Sequence, residues 1–276
     1  FGVQVHLVTQ RLAGVAGARH LGRPPGQPHK GTTVQMLQWF KDSTEKVADG
    51  GPPAIYVVGD IHGCLTPLDR LLAKIVPRPE DEVVFVGDYI DRGPQSREVV
   101  DRLLGLSYRC VFLMGNHERK HVRGARHQVR LARAQVISRE QFGPSYAQAL
   151  QAMEAFPLFI DLPEAILVHG YLEPGIALEE QRDVVLCGTM TGEQYLRKQY
   201  NQPWYALYDG AKPVMVGHHD ILRNGEPFIY QERVFCLDTS CVHGGNLTGL
   251  LLPEFRIVSV PSRGDHWREL QRKHAP

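Results

Sequence analysis

Three short polar clusters recur in the first half of the chain, each directly after an apolar run: Gly59-Asp60-Ile61-His62-Gly63, Gly87-Asp88-Tyr89-Ile90-Asp91-Arg92-Gly93 and Gly115-Asn116-His117-Glu118. Two more histidines close later apolar runs, His169 in Leu167-Val168-His169-Gly170 and His218 in Val214-Met215-Val216-Gly217-His218-His219. Carboxylate, imidazole and amide oxygen are hard-to-borderline donors that suit divalent Mn, Fe or Zn, and no cysteine stands among them to make a thiolate knot. The glycines beside each cluster let backbone and phosphate approach closely. Read alone, Asp60 is an ordinary turn or cap residue and Asn116 an ordinary helix cap. Read together, the clusters describe one site in which an Asp can bridge two ions and the other donors divide between them.

The elements around the clusters explain how they could meet. Ile55 to Val58 reads as a buried strand, followed by Leu65, Leu68, Leu71, Leu72 and Ile75 at helical spacing. Val83 to Val86 is a second strand, Val99, Val100, Leu103 and Leu104 stripe a second helix, and Cys110 to Met114 is a third strand. Strand, helix, strand, helix, strand implies parallel pairing with right-handed crossovers. Ligands of open α/β folds gather beyond the carboxyl ends of such strands, where all three clusters lie. Residues 118 to about 156 read as helices broken at Gly143-Pro144. Strands return over 165–169, 213–217, 234–237, 246–252 and 255–260. The pattern predicts an α/β fold of two β-sheets packed face to face with helices outside.

Composition narrows the function classes. The chain has 276 residues with Lys+Arg 31 against Asp+Glu 30, a formal net charge of +1, which excludes a general binder of polyanions. A hydrophobic share of 43% with 22% charged residues is globular, and no apolar run approaches the ~20 residues of a spanning helix. Gln4, His6, Gln10 and Arg11 interrupt any export-signal core. The five cysteines are an odd number and widely spaced, which reads as reduced thiols in a cytoplasm. The expected organisation is an N-terminal extension over 1–53 with a tail to about 35, a catalytic domain over 54–260, and a C-terminal tail over 261–276.

The triplet of clusters, in this order, resembles the signature of the phosphoprotein phosphatase family of calcineurin-like metallophosphoesterases, in its bacterial serine/threonine phosphatase form. The resemblance covers about residues 54 to 260. It implies a calcineurin-like αββα sandwich holding two divalent metal ions, Mn foremost and Fe or Zn as alternatives. It also implies that Asp60 and His62 bind the first ion, that Asp88 bridges both, and that Asn116, His169 and His218 complete the second. His117 matches the family's proton donor, Asp91 the carboxylate that orients it, and Arg92 the phosphate clamp. These roles are physically coherent. Hydroxide between two ions is a nucleophile for in-line displacement at neutral pH, His117 can protonate the leaving alkoxide, and Arg92 offers a planar fork to phosphate oxygens. Where the family often has a small residue, this chain has Tyr171, expected to narrow the substrate groove. His219 beside His218 is a fallback ligand, and Arg182 and Arg197 are candidates for a second phosphate-binding arginine.

The resemblance implies a phosphatase for phosphomonoesters, foremost phosphoserine and phosphothreonine in proteins. A phosphorylated protein or small phosphoester is the expected partner, with no nucleic acid and no membrane. The alternative is a symmetrical diadenosine tetraphosphate hydrolase, a group that typically has Asp after the histidine where this chain has Glu118. An alternative of another class is a non-catalytic phosphate-binding module. The basic run Arg119, Lys120, Arg123, Arg126, Arg130 and Arg133 reads as a solvated helix face. Trp204, Tyr205 and Tyr208 read as packing rather than as shelves for a base.

Overall fold

The computed structural model describes residues 53–274. Apart from Pro53, the extension expected over 1–53 lies outside the described residues. The first half is built from β1 (Ile55–Val58), α1 (Leu65–Ile75), β2 (Glu82–Phe85), α2 (Ser96–Leu104) and β3 (Arg109–Phe112). The three strands pair in parallel, with Val57 opposite Val84 and Val84 opposite Val111. A three-helix segment follows: α3 (Asn116–Ala125), α4 (Arg133–Phe142) and, after a 3₁₀ turn at Gly143–Ser145, α5 (Tyr146–Met153).

The second sheet comprises β4 (Phe159–Asp161), β5 (Ile166–Val168), β6 (Val214–Val216), β7 (Phe228–Tyr230) and β8 (Val234–Cys236). Helices α6 (Asp183–Leu186), α7 (Met190–Gln199) and α8 (Trp204–Leu207) lie between β5 and β6 in the chain. The chain then returns to the first sheet as β9 (Asn246–Leu252) and β10 (Arg256–Pro261) and ends in α9 (His266–Lys273). Strand order is β10-β9-β1-β2-β3 in one sheet and β4-β5-β6-β8-β7 in the other.

Alternation along the strands sorts the core into layers. Tyr56, Val58, Val83 and Phe85 face the helices, where Leu68, Leu71 and Leu72 of α1 and Val99 and Leu103 of α2 cover them. Val168, Val214, Val216 and Val234 form the outer face of the second sheet under Val185, Leu186 and Leu196. The alternating residues Val57, Val84, Val111, Leu167, Met215 and Phe235 are also buried, which puts them in the layer between the sheets. Each fully buried aliphatic side chain contributes roughly 1.5–3 kcal/mol. This is the sandwich with outer helices that the sequence predicts.

The sequence reading missed two strands. β4 ends in Asp161 between Pro157 and Pro163, and β7 is a three-residue edge strand with Ile229 exposed, so each presents only a short apolar run. The segment expected as a C-terminal tail also differs. It holds α9, whose Asp265 side chain accepts the Arg268 N–H as an N-cap, whose Leu270 is buried, and whose Trp267 packs on the first core cluster. Among the described residues no helix is long and apolar enough to cross a membrane.

Candidate metal centre and active site

The loops after β1, β2, β3, β5 and β6 converge at one end of the strands. Five side chains there stand on backbone that non-glycine residues seldom adopt: His62 (φ 48°), Asp88 (54°), Asp91 (70°), Arg92 (65°) and His218 (69°). Such conformations cost of order 1–3 kcal/mol each and persist where the surroundings enforce them. Packing leaves no slack. A Cβ on Gly115 would overlap Asp88 Oδ1, and one on Gly217 would overlap Asp60 Oδ1.

Asp88 is central. Its Oδ2 lies 3.5 Å from His62 Nε2 and 3.9 Å from His117 Nε2, while its Oδ1 lies 3.4 Å from His169 Nε2. Two groups of donors therefore share it: His62, Asp88 and His117 on one side, and Asp88, His169 and His218 on the other, with ligand atoms within 4.8 Å of one another in each. Asn116 Oδ1 joins the second group, 3.1 Å from His169 Nε2 and 3.0 Å from His218 Nδ1.

Hydrogen bonds set the ring tautomers. A backbone carbonyl can only accept, so His62 Nδ1 donates to Ile90 O at 2.9 Å and His169 Nδ1 donates to Val86 O at 2.9 Å. In the neutral rings each Nε2 then points a lone pair into the cluster. The His169 lone pair, Asn116 Oδ1 and Asp88 Oδ1, which also accepts the His117 N–H at 3.1 Å, converge as three acceptors, an arrangement that a cation satisfies. Burial, followed by the positive charge of Arg92, holds His62 well below the usual histidine range. His218 is pushed down to about 3, chiefly by burial and then by His169. Neutral imidazoles are the form that binds metal.

The carboxylates carry the complementary imbalance. Burial, with the charges of Asp238 and Asp88, pushes Asp60 well above the usual carboxylate range. Asp88, buried as well, shares its two oxygens among the surrounding rings, and its carboxyl is nonetheless held well below that range. The donor set thus fits divalent ions by atom type, direction and charge. Both Asp60 oxygens accept the His218 N–H, at 3.0 and 3.1 Å, and so tie the β1 loop to the β6 loop.

His117 and Asp91 are paired as expected from the sequence, with His117 Nδ1 donating to Asp91 Oδ2 at 2.6 Å. Burial works against the Asp91 charge, yet the bonds from His117 and His121 hold its carboxyl far below the usual range. Arg92 Nη1 donates to His62 Nε2 at 3.0 Å, so its guanidinium lies against the cluster.

Other expectations are not met. Tyr171 is buried among the residues covering the second sheet, its ring edge-on to His218 at 5.3 Å and to Trp204 at 6.5 Å, so it supports the His218 ring instead of narrowing an open groove. Arg182 pairs with Glu173 and lies over the Tyr195 ring, and Arg197 pairs with Glu193, so neither takes the position of a second phosphate clamp. His219 is exposed, and its ring centroid is 6.4 Å from that of His218. The basic run keeps the solvated character expected of it: Arg126, Arg130 and Arg133 are exposed, Arg126 pairing with Glu154 and Arg133 donating to Gln271 O and His274 O.

Three site residues went unassigned in the sequence reading. Glu118 is fully buried and accepts the N–H groups of Asp88 and Tyr89 at 2.9 and 3.0 Å. His121 Nε2 donates to Asp91 Oδ1 at 2.8 Å. Gln135 Nε2 donates to Asp91 Oδ2 at 2.5 Å. Two signals were available: Glu118 closes the third polar cluster, and the i, i+4 spacing of His117 and His121 puts both on one helix face.

Comparison with known proteins agrees with this geometry. A model of the calcineurin-like phosphoesterase family matches residues 53–230. The chain is 33% identical over 234 residues to a protein of Halalkalibacterium halodurans named asymmetrical bis(5'-nucleosyl)-tetraphosphatase PrpE, covering 75% of this chain and 93% of that protein. It is 30% identical over 232 residues to the Bacillus subtilis protein of the same name, with the same coverage. A solved structure provisionally assigned as a diadenosine tetraphosphatase superposes with a TM-score of 0.61 at 26% identity, covering 76% of this chain and 94% of that one. From motifs, fold and family match together, the chain belongs to the calcineurin-like phosphoesterase family.

Proposed function

We propose that the chain is a metal-dependent hydrolase of dinucleoside tetraphosphates that cleaves them asymmetrically. The observation that carries this reading is the similarity to relatives of that name, which extends over 93% of their length. This departs from the phosphoprotein phosphatase expected from the sequence. It also differs from the symmetrical rival, since the relatives' name specifies the asymmetrical reaction.

In this reading Asp60 and His62 would hold one divalent ion and Asn116, His169 and His218 another, with Asp88 available to both. Mn is the ion of first choice, with Fe or Zn as alternatives. Ions bound there would activate water at neutral pH and neutralise phosphate oxygens. Arg92 grips a phosphoryl oxygen pair once it turns from His62. His117, held through Nδ1–H by Asp91, would in its doubly protonated form deliver the Nε2 proton to the departing oxygen and be left as the neutral Nδ1–H ring. A cytoplasmic setting is consistent with the five free thiols.

The phosphomonoesterase reading stands second, favoured by one observation: among the described residues Arg92 is the one guanidinium bonded to a cluster side chain, a grip suited to a single phosphoryl group. Competition at fixed Mn between diadenosine tetraphosphate and a phosphothreonine peptide separates the readings. The proposal expects faster loss of the dinucleotide, with ATP and AMP as products. Two ADP molecules would mean symmetrical cleavage, and a preference for the peptide would restore the phosphoprotein reading.

A further inference from the structure

The bond from His117 to Asp91 uses one oxygen of the carboxylate and leaves the other to be accounted for. That oxygen, Oδ1, accepts from Nε2 of His121, which is fully buried. Since a carboxylate can only accept, the Nε2 of His121 carries the proton, and in the neutral ring Nδ1 carries a lone pair. The Tyr146 hydroxyl lies 2.8 Å from that Nδ1 and is the donor that satisfies it. Gln135 completes the arrangement. Its Oε1 accepts the Ala132 N–H at 3.2 Å, which turns Nε2 toward Asp91.

Proton positions are thereby fixed along a chain running from Tyr146 through His121 and Asp91 to His117. We propose that His121, held in its tautomer by Tyr146, is a positioning residue for the proton donor: it immobilises the ionised Asp91, which in turn keeps His117 bonded through Nδ1 with Nε2 facing the cluster. The inference rests on the hydrolase reading for its kinetic consequence. Its structural consequence can be read in metal-free protein.

Without His121, Asp91 Oδ1 is buried and unpaired, so the carboxylate rotates or takes up water and its hold on His117 loosens. Without the Tyr146 hydroxyl, the Nδ1–H tautomer of His121 becomes competitive and turns a lone pair on Asp91. Either change matters in proportion to how much the leaving group needs a proton. A purely structural role would lower turnover equally for all substrates.

The test compares His121→Leu, His121→Gln and Tyr146→Phe in the full chain with Mn, using 4-nitrophenyl phosphate and an alkyl phosphate. Nitrogen-15 shifts of the His117 ring are recorded on the metal-free proteins. His121→Leu is expected to lower kcat on the alkyl phosphate by about 30-fold or more, within the range attributed to general acid catalysis, and on the aryl phosphate by less than about 3-fold. His121→Gln keeps an N–H for Asp91 and restores most of the loss. Tyr146→Phe, nearly isosteric and expected to fold, shows a smaller loss with the same substrate bias, and its His117 ring shifts report a mixture of tautomers. Equal losses on both substrates, or unchanged His117 shifts in both His121→Leu and Tyr146→Phe, would overturn the proposal. An unsubstituted chain inactive on every phosphoester with Mn would overturn the hydrolase reading and this inference with it. An active chain with uniform losses removes only the role of His121.

Discussion

Glu118 accepts the backbone N–H of Asp88 at 2.9 Å while Asp88 itself sits at φ 54°, so a buried carboxylate on α3 holds the strained turn that aims the shared donor of the cluster. Its other oxygen takes the next amide, that of Tyr89. One side chain thus fixes the backbone of two consecutive residues.

Glu118→Gln is therefore expected to lower Mn affinity roughly 10–100-fold, the usual cost of losing a partner just outside the ligand shell. A carboxamide has one acceptor oxygen, so one of the two amides is left facing an NH₂ group. Competition against a fluorescent chelator measures the effect. Unchanged affinity would show that the turn holds without Glu118.

His117→Asn should depress turnover of poor leaving groups, such as serine alkoxide, by about 100-fold or more while sparing nitrophenolate, which needs little proton assistance. Metal content should stay intact. Uniform loss on both substrate types would take His117 out of the proton-donor role and favour the alternative offered by its place beside His62 and Asp88, that of a metal ligand.

Away from the site, Asp81 accepts the Ala54 N–H and the Arg78 N–H, each at 2.8 Å, and pairs with the Arg78 guanidinium at 2.7 Å. Burial opposes its ionisation, but these bonds prevail and its pKa lies below the ordinary value. A depressed folded pKa means that the stabilisation is fully present above the unfolded value of about 3.9 and fades as pH falls through the lower, folded value. Asp81→Asn should cost about 1–3 kcal/mol at neutral pH. Urea unfolding at a series of pH values should show the two proteins converging in strong acid, and a gap that widened on acidification would contradict this assignment.

Leu270→Ala tests the contribution of α9. The side chain is buried, and large-to-small changes at such positions cost about 2–5 kcal/mol. Thermal unfolding should register the loss while kcat is unchanged, because α9 carries none of the proposed ligands. A neutral effect on stability would return 261–276 to the status of a tail.

Much of the site was legible because each donor closes an apolar strand. Asp60, Asp88 and Asn116 follow β1, β2 and β3 of one sheet, and His169 and His218 follow β5 and β6 of the other, so strand order within each sheet and the packing of the two sheets bring them together. The support around them was not legible. Glu118 reaches Asp88 across 30 residues, His121 reaches Asp91 across 30 and Gln135 reaches it across 44, contacts that only the packing of α3 and α4 creates. Tyr171 misled because its place in the loop after His169 says nothing of its side chain, which turns into the cluster over the second sheet. The edge strands β4 and β7 lack a buried period long enough to read, and α9 looked like a tail because its charged face outweighs the single buried Leu270.

The most direct measurement is Mn-dependent turnover of diadenosine tetraphosphate by the metal-stripped chain, with Asp88→Ala beside it. Stripping is expected to abolish turnover and Mn to restore it. The loss in Asp88→Ala is expected to go well beyond the roughly 10–100-fold of an outer partner, since both donor groups share this residue. Turnover that survives chelation, or near-normal turnover in Asp88→Ala with its metal retained, would contradict a metal-dependent hydrolase centred on Asp88.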